Sequence, residues 1–140
     1  MIDDKNRLYN KIIKGLDLKT PARREEIIEA EKCLGIRFPK EYVDFMLLSN
    51  GAEGPVGNHA YLRIWPVEEL MPANEGYSVE EFIPGIILFG SDGSGEAYGF
   101  DSRDNEEISI ISIPFMDMDF DEMEKISNSF KDFLKYLYQS

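Results

Sequence analysis

Histidine, cysteine and tryptophan occur once each in these 140 residues, as His59, Cys33 and Trp65. A lone histidine excludes a histidine cluster for zinc and any two-histidine metal site. A lone cysteine excludes an intramolecular disulfide, which fits a reducing, cytoplasmic compartment. Paired, the two would make a thiol nucleophile with its base. Cys33 falls in a helical stretch and His59 in a glycine-rich loop, and nothing in the sequence brings them together. No segment approaches the roughly 20 apolar residues that span a bilayer. The start, Met-Ile-Asp-Asp-Lys-Asn-Arg, carries acids with no apolar run behind them, so neither a signal peptide nor a membrane helix is expected.

Basic residues are scarce in one half only. Residues 1–50 hold 10 Lys and Arg against 9 Asp and Glu, whereas residues 51–140 hold 5 against 18, and within residues 64–124 Arg103 is the single basic residue. The net charge of −12 therefore belongs to the second half. A field of that sign repels phosphate backbones and anionic lipid, so nucleic-acid and membrane binding are disfavoured and a basic protein partner is favoured. The plain alternative is an acidic surface that serves solubility alone.

The densest local information lies in residues 31–51. Leu34-Gly35 ends one helix, glycine accepting the left-handed conformation of a helix terminus. Phe38-Pro39 opens a second, proline being tolerated in a first turn, and Asn50-Gly51 closes it. In the second helix Tyr42, Phe45, Met46 and Ser49 share one face while Val43, Leu47 and Leu48 cover most of the rest, the pattern of an enclosed helix. The first is amphipathic, with Ile27, Ala30 and Leu34 in a stripe that Cys33 and Ile28 widen. Glu31 falls inside that stripe, where a carboxylate is expected to accept backbone N–H groups from a neighbouring loop.

Ahead of this block, Leu8, Tyr9, Ile12, Ile13 and Leu16 recur at helical spacing, and Thr20-Pro21 reads as the cap of the next helix. After it, residues 52–58 read as a loop, 61–65 as a strand, 66–70 as one helical turn, and Pro72, Asn74 and Gly76 as a polar connection. Residues 86–89, 96–101 and 108–113 form close-spaced strands, a meander. In the middle strand Tyr98 and Phe100 point one way and the small Ala97 and Gly99 the other. Met123, Ile126, Phe130, Phe133, Leu134 and Leu137 read as one face of a final helix. Helices, then sheet, then helix indicate an α+β fold, a mainly antiparallel sheet with helices packed against it. The length suits one domain over residues 1–140.

Three motifs invite chemistry. Gly90-Ser-Asp-Gly93-Ser-Gly95 follows a strand, but Glu96 and Ala97 stand where a phosphate loop needs Lys and Ser or Thr, so the reading is an Asp92-Gly93 hairpin. Asp117, Asp119 and Asp121 alternate like calcium-loop ligands, yet Glu122 replaces the turn glycine and Asn128 the bidentate glutamate. Many carboxylates are available for glycoside chemistry, and no pair is singled out. No cofactor, metal or catalytic residue is assigned. Trp65 and Tyr42 are expected in the core.

Ile28 with Glu31, Leu34-Gly35, Phe38-Pro39, Tyr42, Phe45, Asn50-Gly51, Ile64-Trp65, Glu69-Leu70, the run from Gly90 to Gly95, Tyr98, Phe100-Asp101 and Ser129-Phe130 come in an order that resembles the SUKH superfamily. That group includes fungal cell-wall-assembly regulators and bacterial toxin-immunity proteins. The resemblance implies an α+β interaction domain without catalytic residues and, for bacterial members, a small cytoplasmic protein that neutralises a cognate toxin, often a nuclease. An acidic surface suits such a partner, with Asp92, Glu96, Asp101, Asp104, Glu106 and Glu107 at the turns flanking the middle strand as candidate contacts. A regulatory or scaffolding module of the same fold, and a carboxylate-based ligand-binding protein or enzyme, are the competing readings.

Overall fold

The computed structural model describes residues 4–104 and 107–140. Among them a seven-stranded sheet, antiparallel throughout, follows chain order. The strands are β1 (Asp17–Leu18), β2 (Ala52–Val56), β3 (Ala60–Ile64), β4 (Ile86–Ser91), β5 (Glu96–Asp101), β6 (Ser109–Pro114) and β7 (Glu124–Ser127). The helices are α1 (Asp4–Lys14), α2 (Arg24–Leu34), α3 (Lys40–Leu48), α4 (Val67–Gly76), α5 (Val79–Phe82) and α6 (Phe130–Gln139). The class is α+β, as the sequence indicates, and the meander extends over the whole sheet.

The period-2 alternation of β5 divides the core in two. Tyr98 and Phe100 join the large cluster that Ile12, Tyr42, Phe45, Phe130 and Phe133 build from α1, α3 and α6. Ala97 faces the other way, into a smaller cluster with Val79, Ile83, Leu88, Ile111 and Ile113. Helix α6 is docked through its first turn. Ser129 accepts the Asp132 N–H at 3.1 Å, and Glu41 of α3 accepts the Lys131 N–H at 3.0 Å.

Several local expectations are corrected. Thr20-Pro21 does not cap α2, which starts three residues later, where the Arg23 N–H donates to Glu26 at 2.9 Å. Pro39 sits at the cap position, one residue before α3. That helix ends at Leu48, and Leu48 is exposed, so α3 is not enclosed all round. Residues 52–56 are a strand, not a loop: small Ala52 and Gly54 are buried, and β1 covers only Ala52 and Glu53. Beyond that cover β2 has no strand on this side among the described residues, where Pro55 is tolerated. Residues 67–76 are a helix of ten residues with Pro72 inside it. Met123 and Ile126 precede α6, Ile126 within β7. Trp65 is half-buried, bridging the margins of both clusters, and not a core residue.

Strands β3 and β4 pair only at Arg63↔Ser91 and Ile64↔Gly90 and then part. At the junction a Cβ on Gly90 would fall on the Arg63 carbonyl oxygen, so glycine is needed there. Below it the backbone edge of β4 is buried without a strand beside it, and buried amides must find partners. Asn74 supplies them. Its Oδ1 accepts the Leu88 N–H at 2.8 Å, and its Nδ2 donates to the carbonyls of Leu88 at 3.0 Å and Leu70 at 2.8 Å. A side-chain amide offers the same donor and acceptor as a backbone residue, so one asparagine of α4 does the work of a missing strand.

Asn74→Ala should therefore cost about 2–4 kcal/mol, since it strands a buried donor and a buried acceptor. Urea unfolding checks this as a lower midpoint at unchanged slope. Tyr42 is a contrasting case. Its ring meets those of Phe38, Phe89, Phe100 and Phe130 at 5.0–5.8 Å for the outer pairs, Phe38 standing at 5.1 Å. Its buried hydroxyl has no hydrogen-bond partner among the described residues. Tyr42→Phe should raise stability by about 1 kcal/mol because it removes an unpaired buried polar group. Tyr42→Ala should lose about 3–5 kcal/mol in the same assay.

Candidate functional site

Strand β5 carries the candidate acids at its two ends, and the structure separates them. Asp92 and Glu96 stand where β4 turns into β5; Asp101 ends the strand and Asp104 and Glu107 stand beyond it; Glu106 lies outside the described residues. A six-residue strand at ~3.3 Å per residue holds those ends roughly 17 Å apart. They are two sites and not one patch.

At the near end Asp92 builds its own turn. Its Oδ1 accepts the N–H groups of Ser94 at 2.8 Å and Glu96 at 3.1 Å, and its N–H donates to the Glu96 carbonyl at 3.0 Å. Gly93 takes φ +79°, and a Cβ there would meet the Tyr61 ring at 2.9 Å. This is the Asp-Gly hairpin the sequence indicates. Strand register then adds a third acid: Tyr98 pairs with Ser112, and Ser112 with Glu124, so Glu96, Tyr98 and Glu124 share a face. Burial, then the charges of Asp92 and Glu124, raise the Glu96 carboxyl above its ordinary value. The Tyr98 hydroxyl is pushed up to about 12 by burial, then by Asp92, Tyr136 and Glu96. Among the described residues no ion pair holds Asp92, Glu96 or Glu124.

At the far end Asp101 is paired from within. Asp101 accepts from Arg103 at Nε (3.0 Å), Nη2 (2.8 Å) and the backbone N–H (3.0 Å). Those bonds hold its carboxyl below the ordinary range. The guanidinium also lies 4.5 Å over the Phe120 ring, and Lys125 lines the same small groove of about 320 Å³.

A larger groove of about 770 Å³ runs past Trp65, Glu53, Arg63, Glu68 and Glu69. Its charges are paired in part, since among the described residues no ion pair holds Glu68 or Glu69. Glu53 accepts from the Tyr61 hydroxyl and meets Arg63 Nε at 3.1 Å; the Tyr61 hydrogen bond first, then Arg63 and Lys19, draw its carboxyl downward. Lys19 meets Asp17 at 2.8 Å. At the groove wall Asn50 caps α4, accepting the Val67 N–H at 2.9 Å and donating to Glu68 at 2.8 Å. Gly51 has φ +85°, and a Cβ there would meet the Ile64 carbonyl at 2.6 Å. Glu31 accepts the Phe38 N–H at 2.7 Å, and Gly35 ends α2 at φ +69°. Glu31, Gly35, Asn50 and Gly51 thus hold the fold.

Cys33 lies in the exposed last turn of α2, hydrogen-bonded to Glu29, and His59 in the exposed β2–β3 turn. Asp119 caps a 3-10 turn by accepting the Asp121 N–H at 2.9 Å. No group of three or more His, Cys, Asp or Glu able to hold a metal occurs among the described residues. Nor, among them, is any helix long and apolar enough to cross a membrane. The near end of β5 remains as a cluster of carboxylates open to an arriving cation. Sequence reasoning missed Glu124 there because residues 123–137 read as one helix; no local signal separates β7 from α6 except the Ser127-Asn-Ser129 break.

Residues 21–136 match the SMI1/KNR4 family (SUKH-1), and the chain belongs to that family. It is also similar to the uncharacterized protein YnaB of Bacillus subtilis (strain 168), 35% identical over 85 residues, 61% of this chain and 49% of that protein. The chain thus spans about half the length of the curated relative it matches.

Glu96 binds its proton more tightly folded than unfolded. Its contribution to stability is present in full below the unfolded value, near 4.5, and is lost as pH rises through the higher folded value. Glu96→Gln should accordingly be more stable than wild type at pH 7. Thermal melts between pH 4 and 7 check this, and the variant should lose less stability on the way up.

Proposed function

We propose that this chain is a protein-binding module that neutralises a basic toxin, in the first place a nuclease, by covering its substrate cleft. The observation that carries the reading is the cluster of Asp92, Glu96 and Glu124, where burial first and then the charges of Asp92 and Glu124 work against Glu96 ionisation and no ion pair among the described residues relieves it. Lys or Arg side chains brought by a partner would relieve it, so the cluster binds best what a nuclease cleft presents. Family membership supports a partner-binding role, and immunity to a toxin is the role the superfamily resemblance implies for bacterial members. In this reading residues 1–140 act as one domain in the cytoplasm, and occlusion calls for neither a cofactor nor a catalytic group. In this reading Asp92 and Glu96 make the principal contacts together with Glu124. Asp101, Asp104 and Glu107 belong to a second, mixed-charge groove and contribute less.

The test is association with the protein encoded beside this one. Glu96→Lys combined with Glu124→Lys leaves the Asp92 turn intact and should slow association at least tenfold, by stopped-flow or surface binding kinetics. Wild-type association should slow as salt rises, because screening weakens attraction between exposed charges. Association that is unchanged by the double variant and insensitive to salt contradicts the acidic-occlusion reading. A partner with no toxic activity would favour the regulatory reading of the same surface.

A further inference from the structure

Beside the acidic end of β5 lies an apolar surface that no element among the described residues covers. Strand β6 ends at Pro114, opposite Glu96, and the next residue, Phe115, donates its N–H to the Gly95 carbonyl at 2.9 Å. The strand end that carries the acids thus adjoins this surface through the backbone, while Glu96 and Glu124 share the Tyr98 face of the sheet and Phe115 packs with the smaller cluster on the other. Phe115 packs on Tyr77 with ring centroids 4.8 Å apart. Between them and Phe82 and Met118 opens a cleft of about 670 Å³, with Met116 on its rim. Met116 is 99% exposed, Phe82 54% and Tyr77 41%. Ser78, the one positive-φ residue other than glycine among those described (φ +52°), turns the chain between α4 and α5 so that Tyr77 and Phe82 both edge the cleft.

Exposed apolar side chains scattered singly need no explanation, but a contiguous group with a charged rim marks an interaction site. Tyr77, Phe82 and Phe115 with Met116 and Met118 around a pocket match the composition of binding hot spots. The rim decides the occupant. Asp117 and Asp119 line the cleft, and no Lys or Arg does. Arg103, the single basic residue of residues 64–124, is held by Asp101 and the Phe120 ring. A second copy would set these acids against themselves in a chain of net charge −12, and an anionic membrane would be repelled in the same way.

We infer that the cleft framed by Tyr77, Phe82, Phe115 and Met116 is the anchor of the partner interface, taking an apolar or aromatic side chain from a basic amphipathic segment of a protein. This rests on the protein-binding reading above and divides the labour within it. The acids of the β5 end steer encounter, and the cleft holds the complex once formed.

Two 14-residue helical peptides test it, sharing a Leu/Trp face and carrying either Lys or Glu on the other. Titrated into 15N-labelled protein, the Lys peptide should shift amides of residues 76–82 and 115–120 and the Glu peptide should not. Phe82→Ser and Met116→Ser alter exposed side chains and should keep the wild-type melting curve. Each should weaken Lys-peptide binding at least tenfold through faster dissociation. The Glu96→Lys, Glu124→Lys variant should weaken it through slower association. Equal binding by wild type and the serine variants, with shifts confined to residues 92–96 and 124, overturns the anchor and leaves the acidic reading standing. Undiminished binding by the charge-reversed variant overturns the acidic reading instead. Equal binding of both peptides, or no binding of either, overturns the basic occupant. A wild-type dimer in sedimentation that Met116→Ser dissolves assigns the cleft to a second copy and overturns it too.

Discussion

Most of this architecture depends on how the sheet is closed where its third and fourth strands separate. Two residue pairs join β3 to β4, and below them the edge of β4 would be a row of buried, unpaired amides. The Asn74 side chain meets Leu88 through both of its polar atoms, while Trp65 donates its N–H to the Phe89 carbonyl at 3.0 Å. At the other end of the same helix Asn50 caps the Val67 N–H. Two asparagines thus pin α4 near its start and near its end. Because α4 runs into Tyr77 and then α5, the pinning also places Tyr77 and Phe82 beside Phe115.

Charge is distributed with equal economy. Where carboxylates line the Trp65 groove or the far end of β5, a basic side chain lies within ion-pair reach of Glu53 and of Asp101. At the near end the hairpin turn and the β6–β7 register bring Asp92, Glu96 and Glu124 together with no such partner among the described residues. Exposed pairs contribute little to stability, so the contrast matters for recognition more than for folding. One end of the sheet offers an uncompensated field, and the apolar cleft adjoins it. Long-range attraction and short-range packing are thereby available at one end of the sheet, the acids on one face and the cleft on the other.

What could be read from residues alone follows a physical division. Strong local grammar was legible: Gly35 at a left-handed helix end, Glu31 reaching the Phe38 N–H, Asp92-Gly93 at a hairpin, the alternation of Tyr98 and Phe100 against Ala97 and Gly99. The missed elements owe their form to partners distant in sequence. Strand β2 is built of Ala52, Glu53, Gly54, Pro55 and Val56, poor strand formers individually, and exists because β3 pairs along its whole length. Helix α4 continues through Pro72 because Leu70 and Asn74 are buried at the seam. Met123 and Ile126 mimic the helical spacing of α6 while Ile126 lies in β7. For the site, Asp92 and Glu96 were legible as acids at a turn. Their separation from Asp101, the arrival of Glu124, and the half-burial of Trp65 are matters of register, which sequence alone leaves open.

The seam is the part of this account most directly open to measurement. Native-state hydrogen exchange of the Leu88 amide reports whether Asn74 serves as the absent strand. If it does, Leu88 exchanges only through global unfolding, at the same free energy as the β5 amides that are paired on both sides. In Asn74→Ala its exchange should instead proceed by a local opening of much lower free energy. Fast exchange of the Leu88 amide in the wild-type protein, at the rate of an exposed strand edge, would contradict the account.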